Sequence, residues 1–359
     1  MKDRLRDLTT AFCRIPGLSG HEARIRAAIQ SELGGGQVDV LGNLWRSFPG
    51  DPDAPSVMLF THMDQLGFVV RKIDADGFLR LERLGGVPER ALAAQAVTIC
   101  GKNGDLPGVI AHKSHHATAP EEKYRVLPYR DLYVDAGFAS RDEAETAGVA
   151  IGTPIVYAGN AFMLAGDRLA GTAVDDRAGC AVLVALAEKL ATRKGGPTVH
   201  VCFTTQEEFN LRGAQPLAQR LDPDIAIQID LMLACDTPDM ADRGEMVLGG
   251  GPGLSLYSFH GRGTLNGVIP HPGLVRRVEE AAQAEGLPLQ RSAQTGVLTD
   301  LSYVQLQGEG VACIDLGYPM RYSHSALEVC DLNDLAALVR LLEATLSRID
   351  VGFDPTEGR

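Results

Sequence analysis

Short runs of apolar, largely β-branched residues constrain this chain more than any other feature. They are Ser56–Thr61, Val199–Phe203, Asp224–Asp230 and Val311–Leu316. Each has the length of a buried strand, and little polar alternation interrupts them. Helical spacing appears around them: Ile25, Ala28, Ile29 and Leu33; then Cys180, Leu183, Leu186 and Leu190 within Asp176–Ala191; then Leu274–Ala284 and Leu332–Ile349. Strands that are apolar on both faces and alternate with helices belong to a largely parallel sheet covered on both sides. The predicted class is therefore α/β, a three-layer α/β/α domain around a mostly parallel central sheet.

Pro16-Gly17-Leu18-Ser19-Gly20-His21-Glu22 reads as a turn into the first of these helices, with Ser19 and Glu22 at capping-box spacing. Gly34-Gly35-Gly36 stops that helix. Between residues 71 and 160 the texture changes to short β-like runs rich in Gly, Pro and charge, with one short helix around Ser140–Ala147. This predicts a β-rich domain over 71–160 inserted into a catalytic domain made of 1–70 and 161–359.

Composition narrows the function classes. Lys plus Arg is 34 against 46 Asp plus Glu, a formal charge of −12. That balance argues against nucleic-acid and anionic-membrane partners. No run is long enough to span a bilayer, and no apolar segment follows the charged N-terminus. The seven cysteines have no CxxC spacing and mostly lie in apolar runs. They read as buried free thiols of a reducing compartment, so a cytoplasmic location is expected.

In parallel sheets, ligands bind beyond the carboxyl ends of strands. His62 and Asp64 follow one predicted strand, Glu207 and Glu208 another, and Asp230 ends a third. Asp175-Asp176 precedes a helix, and His324 follows the last strand by a short loop. An isolated Glu-Glu or His-x-Asp is usually a solvated turn. Two imidazoles and several carboxylates from separate connections of one sheet instead suit a divalent ion such as zinc, cobalt or manganese. Residues two apart in an extended chain face the same side, so Asp64 is placed to hold one nitrogen of His62 while the other binds metal.

The ordered motifs His62-Met63-Asp64-Gln65-Leu66-Gly67, Asp175-Asp176-Arg177, Gln206-Glu207-Glu208, Asp230 with Asp236-Thr237-Pro238, and Arg321-Tyr322-Ser323-His324-Ser325 resemble the M42 family of dinuclear metallo-aminopeptidases. These are the tetrahedral, glutamyl or deblocking type. Metal-dependent peptidases and deacylases of the M20 type use a similar ligand series, but their extra domain typically enters after the Glu-Glu motif. Here the β-rich segment lies between His62 and Asp175, as in M42.

The resemblance implies a role for each position. Asp175 would bridge two divalent ions, zinc or cobalt or manganese, with the Asp175–Asp176 bond cis. His62 and Asp230 would complete one site, Glu208 and His324 the other. Glu207 would be the general base and Asp64 would orient His62. Arg177 would pair with nearby carboxylates. Peptides would be the substrate, and the inserted domain would pack subunits into a homo-oligomer, a dodecamer built from dimers.

Gln65 stands where the family commonly has Glu, Phe209-Asn210 where Val-Gly is commonest, and bulky Val297-Leu298 before Thr299-Asp300 where it has glycine. Asn tolerates a left-handed backbone, so the turn after Glu208 is expected to form. The alternatives to an aminopeptidase are a metal-dependent amide or acyl hydrolase acting on a small non-peptide substrate, and a catalytically silent binding protein.

Other motifs read as structural. Lys113-Ser114-His115-His116, with His112, is a surface or interface loop. Gly249-Gly250-Gly251-Pro252-Gly253 lacks the Gly-Lys-Ser/Thr ending of a phosphate loop and reads as a tight turn. His21, His260 and His271 are assigned no ligand role, and Ser325 has no base beside it.

Overall fold

A computed structural model describes residues 1–261 and 266–358. Its central sheet runs in the order 37–38, 44–48, 199–204, 57–62, 225–233, 312–320, 253–259, 267–268, with the 290–295 strand joined to 253–259. The four middle strands, Val199–Thr204, Val57–His62, Ile225–Leu233 and Ala312–Met320, are mutually parallel. Antiparallel strands flank them.

The sheet is three-layered because its strands are apolar on both faces. Val57 and Leu59 point to one core and Met58 and Phe60 to the other. Ile225 and Ile227 alternate with Ala226 in the same way, as the period of two requires. The larger core packs against helices Lys2–Cys13, Val174–Leu190, Pro272–Ala284 and Leu332–Leu346. The smaller one lies under Ala214–Leu221 and Leu301–Val304.

The β-rich segment is a closed six-stranded barrel with a separate core that includes Phe68, Leu81, Ile99 and Val134. Its first strand, Gly67–Ile73, pairs with Leu79–Leu84 and Pro154–Tyr157. The Phe68–Val70 run therefore belongs to the barrel rather than to the sheet that precedes it in sequence. The short helix is Arg141–Thr146, and Ser140 caps it by accepting from the Glu143 amide.

The capping-box expectation fails. The second helix begins at Ala23, so Glu22 sits at the cap itself, and no side chain caps the end. Ser19 and Glu22 are both buried and turn elsewhere, as described below. Two strands also run further than their apolar runs suggested: Asp230 is followed by three more strand residues, to Leu233, and the last parallel strand continues to Met320.

The Gly249–Gly253 run is a turn whose Gly249 and Gly251 amides each donate to the buried Asp334 carboxylate at 2.7 Å. His271 accepts from the Gly273 amide at the start of the 272–284 helix. Residues 112–116 are exposed, and Lys113 pairs with Glu122. None of the seven cysteines is in a disulfide, and all but Cys100 are buried. Among the described residues no helix is long and apolar enough to cross a membrane.

Leu183 lies on the 174–190 helix with no exposed surface. Leu183→Ala should cost about 2–5 kcal/mol of unfolding free energy, read as a lower denaturation midpoint. A loss below about 1 kcal/mol would contradict a tightly packed layer.

Candidate metal centre

The site forms where four parallel strands and one helix end converge. His62 is the last residue of its strand and registers with Thr204 on the neighbouring strand. That register brings Asp64, two residues on, against the turn that carries Glu207 and Glu208. Asp64 is fully buried. Its Oδ1 accepts from the Glu207 amide at 3.0 Å and its Oδ2 from the Glu208 amide at 3.1 Å. The Ser19 hydroxyl also donates to Oδ2. Burial pushes the Asp64 carboxyl up, but His62, Ser19 and the Glu207 amide outweigh it and hold the group below its usual range.

The 206–211 turn needs left-handed backbone at three positions, Gln206 with φ 57°, Asn210 with φ 72° and Leu211 with φ 58°. Asn tolerates that region, so the Phe209-Asn210 departure keeps the turn. Glu22 stabilises it by accepting from the Gln206 amide at 3.2 Å. The Asn43 side chain accepts from the Thr205 amide at 3.0 Å.

Asp175 and Asp176 open the 174–190 helix with non-helical backbone, and the bond between them is cis. Their side chains diverge. Asp176 Oδ1 accepts from the Gly179 amide at 3.0 Å and lies 2.7 Å from the Tyr318 hydroxyl. Thr61 donates to the other oxygen. Asp175 instead faces the cavity. Its Oδ1 is 2.9 Å from His62 Nε2, and its Oδ2 is 3.6 Å from His324 Nε2.

Two sets of ligand atoms result: His62, Asp175 and Asp230; and Asp175, Glu208 and His324. Within each set the atoms lie within 4.8 Å of one another, and Asp175 is common to both. His62 Nδ1 is 3.5 Å from Asp64 Oδ1, on the side away from Asp175. His324 Nδ1 is 3.0 Å from the Gly86 carbonyl, which leaves Nε2 toward Asp175 and Glu208.

The donor set fits divalent cations. Burial pushes the Glu208 carboxyl up to about 7, with Asp175 adding to the shift and His324 and His62 opposing it. Burial first, then neighbouring carboxylates, also raises Asp230 and Glu207 well above the usual range. Burial disfavours a charged His324, yet Glu208 and Asp175 outweigh it and hold the imidazole at about 9. Glu208 Oε1 is buried with no hydrogen-bond partner. Carboxylates crowded in this way share protons unless cations neutralise them. Nitrogen and oxygen donors in these numbers suit zinc, cobalt or manganese.

Six of the seven residues expected at the site line one cavity of about 1080 Å³; the seventh, Asp64, lies behind it. Phe209, Arg243, His260 and Tyr322 also line it. Sequence reading missed Glu328, which accepts from the Asp175 amide at 2.9 Å and the His324 amide at 2.6 Å. It also missed Ser19, Glu22, Tyr318 and the Gly86 carbonyl. Arg177 does not pair with a carboxylate as expected. It is fully buried, and its Nη2 donates to Gln65 Oε1 at 3.3 Å. Ser325 donates to the Leu327 carbonyl rather than sitting beside a base.

Comparison with known proteins agrees with this geometry. The Escherichia coli (strain K12) protein SgcX is 38% identical over 345 residues, covering 95% of this chain and 92% of that protein. An aminopeptidase from the archaeon Desulfurococcus kamchatkensis superposes with a TM-score of 0.91 at 30% identity, covering 98% and 96% of the two chains. The Pyrococcus horikoshii TET1 peptidase, which can assemble into a tetrahedron or a large octahedral shell, gives 0.85 at 30% identity over 95% and 99%. Residues 42–341 match the description of the M42 glutamyl aminopeptidases, and the chain belongs to that family.

Proposed function

We propose that the protein removes N-terminal residues from peptides, using two divalent ions held by His62, Asp175, Asp230, Glu208 and His324. The observation that carries this reading is the pair of donor sets sharing Asp175. Zinc or cobalt, with manganese as a third choice, fits the mixture of imidazole and carboxylate. When bound, such ions would lower the pKa of a water toward neutrality and polarise the scissile carbonyl.

Glu207 is the proton carrier. It lines the cavity but belongs to neither donor set. Its amide is anchored to Asp64, which fixes the turn and leaves the carboxyl free to face substrate. Burial, with Asp230 and Glu208 nearby, raises its proton affinity, as a general base working near neutral pH requires. It takes a proton from the attacking water and delivers it to the leaving amine. Asp64 holds the His62 ring, and Glu328 holds the backbone of Asp175 and His324.

Seven cysteines, none in a disulfide, support a reducing, cytoplasmic location. The inserted barrel is the packing element of a homo-oligomer, a dodecamer by analogy with the PhTET1-12s assembly.

Metal removal gives the first test. Chelation should abolish aminoacyl-p-nitroanilide hydrolysis, and cobalt or zinc should restore it. The chelated protein should also melt progressively earlier as pH rises. The sign follows from Glu208: its folded pKa, about 7, exceeds the ordinary 4.5. Its stabilising contribution is complete below 4.5 and lost as pH climbs through 7. Bound metal should remove that trend; hydrolysis that survives complete metal removal would sink the mechanism. Glu207→Gln should retain both metals by elemental analysis yet lose roughly 10²–10⁴ of turnover. Near-normal rates in that variant would strip Glu207 of its role. Light scattering should report a large assembly, and a monomer would refute the oligomer.

A further inference from the structure

A second, smaller cavity opens beside Asp230. Asp230, Leu231, Leu233, Val297 and Thr299 line both it and the main cavity. Its volume is about 30 Å³. Roughly 10–15 Å³ suffices for one water-sized group, so the space suits a compact head.

Three strands supply its unpaired polar groups. Ser258 and Gln294 are direct register partners on adjacent strands. Asp315 lies on the strand that pairs antiparallel with Ser258's, at Leu254–Leu316, and lines the same cavity as Ser258 and Gln294. Ser258, Gln294 and Asp315 are 5%, 9% and 3% exposed. Ser258 Oγ, Gln294 Oε1 and Asp315 Oδ2 nevertheless have no hydrogen-bond partner. Buried polar atoms are rarely left so, and three around one cavity call for an occupant. All three can accept a hydrogen bond, and the amide and carboxylate oxygens can do nothing else. The other oxygen of Asp315 already takes the Thr299 hydroxyl at 2.9 Å. Burial pushes this carboxyl up to about 7, with Thr299 opposing, so a cation beside it would keep it ionised. No lysine or arginine is among the described residues that line the cavity.

The geometry points to a subsite for a compact, singly charged ammonium head: the ε-ammonium of a lysine-like first residue of the peptide. Three acceptors match the three donors of an ammonium group. Leu231, Leu233 and Val297 offer an apolar wall to the methylene stem. The shared position of Asp230 puts this subsite next to the first donor set. The assignment rests on the aminopeptidase reading, since it takes the bound cation from a substrate side chain.

Calorimetric titration of the metal-loaded protein with lysinamide and norleucinamide reads the subsite without turnover. The two share a stem and differ in the ammonium. Lysinamide should bind about tenfold tighter or more, the scale of a charge-assisted hydrogen bond. Asp315→Asn should erase most of that ratio. Should this variant fail to fold, Ser258→Ala should still lower the ratio. Equal affinities in the wild type, or a ratio untouched by both substitutions, would overturn the subsite. Potassium chloride tested against choline chloride separates the other source of a cation. A melting shift specific to potassium and lost in Asp315→Asn would give the cavity to a free ion and overturn the substrate assignment. Cleavage of lysyl and norleucyl p-nitroanilides is scored apart: lysinamide selectivity with neither compound cleaved would discard the aminopeptidase reading and keep the cationic subsite.

Discussion

The site depends on one buried carboxylate that touches no substrate. Asp64 ties the end of the 57–62 strand to the turn after the 199–204 strand, because its two oxygens accept from consecutive amides of that turn. Those amides belong to Glu207 and Glu208, so a single group sets where the proposed proton carrier and a proposed ligand point. The same carboxylate stands beside His62 Nδ1. A charge with no exposed surface is costly unless it is fully hydrogen-bonded. Ser19 supplies a further donor, and the segment before the second helix is thereby drawn into the site.

The strands and helices were legible because their apolar periodicity is local. His62, Asp175, Glu207, Glu208, Asp230 and His324 were legible as a set because strand ends in a parallel sheet share one edge. Their supporting contacts had no such signature. Glu328 reaches Asp175 across 153 positions and Gly86 reaches His324 across 238. Neither spacing has a sequence pattern, and a backbone carbonyl carries no residue identity at all. The Ser19–Glu22 spacing misled for a different reason. It satisfies a local rule, but buried acceptors and amides across the sheet compete for both side chains and win.

The departures from the family pattern have physical accounts. Asn210 occupies the left-handed region where glycine is commonest, so the turn keeps its shape. Phe209 remains exposed beside Glu208, with the Arg212 guanidinium 5.5 Å from its ring centroid. Gln65 leaves Arg177 with an amide oxygen for a partner, and two of the guanidinium nitrogens, Nε and Nη1, have none. The charge of Arg177 then acts at longer range on Asp64 and Glu22.

The Gly86 carbonyl changes how the barrel should be regarded. It comes from the loop after the 79–84 barrel strand and fixes the ring of His324, a side chain of the other fold unit. A β-carbon at Gly86 would stand 2.8 Å from His324 Nδ1. The boundary between the two units therefore runs through the proposed metal site itself. A chimera that exchanged barrels between relatives would have to inherit this loop's backbone path along with the barrel, or the graft would arrive with a misaligned histidine.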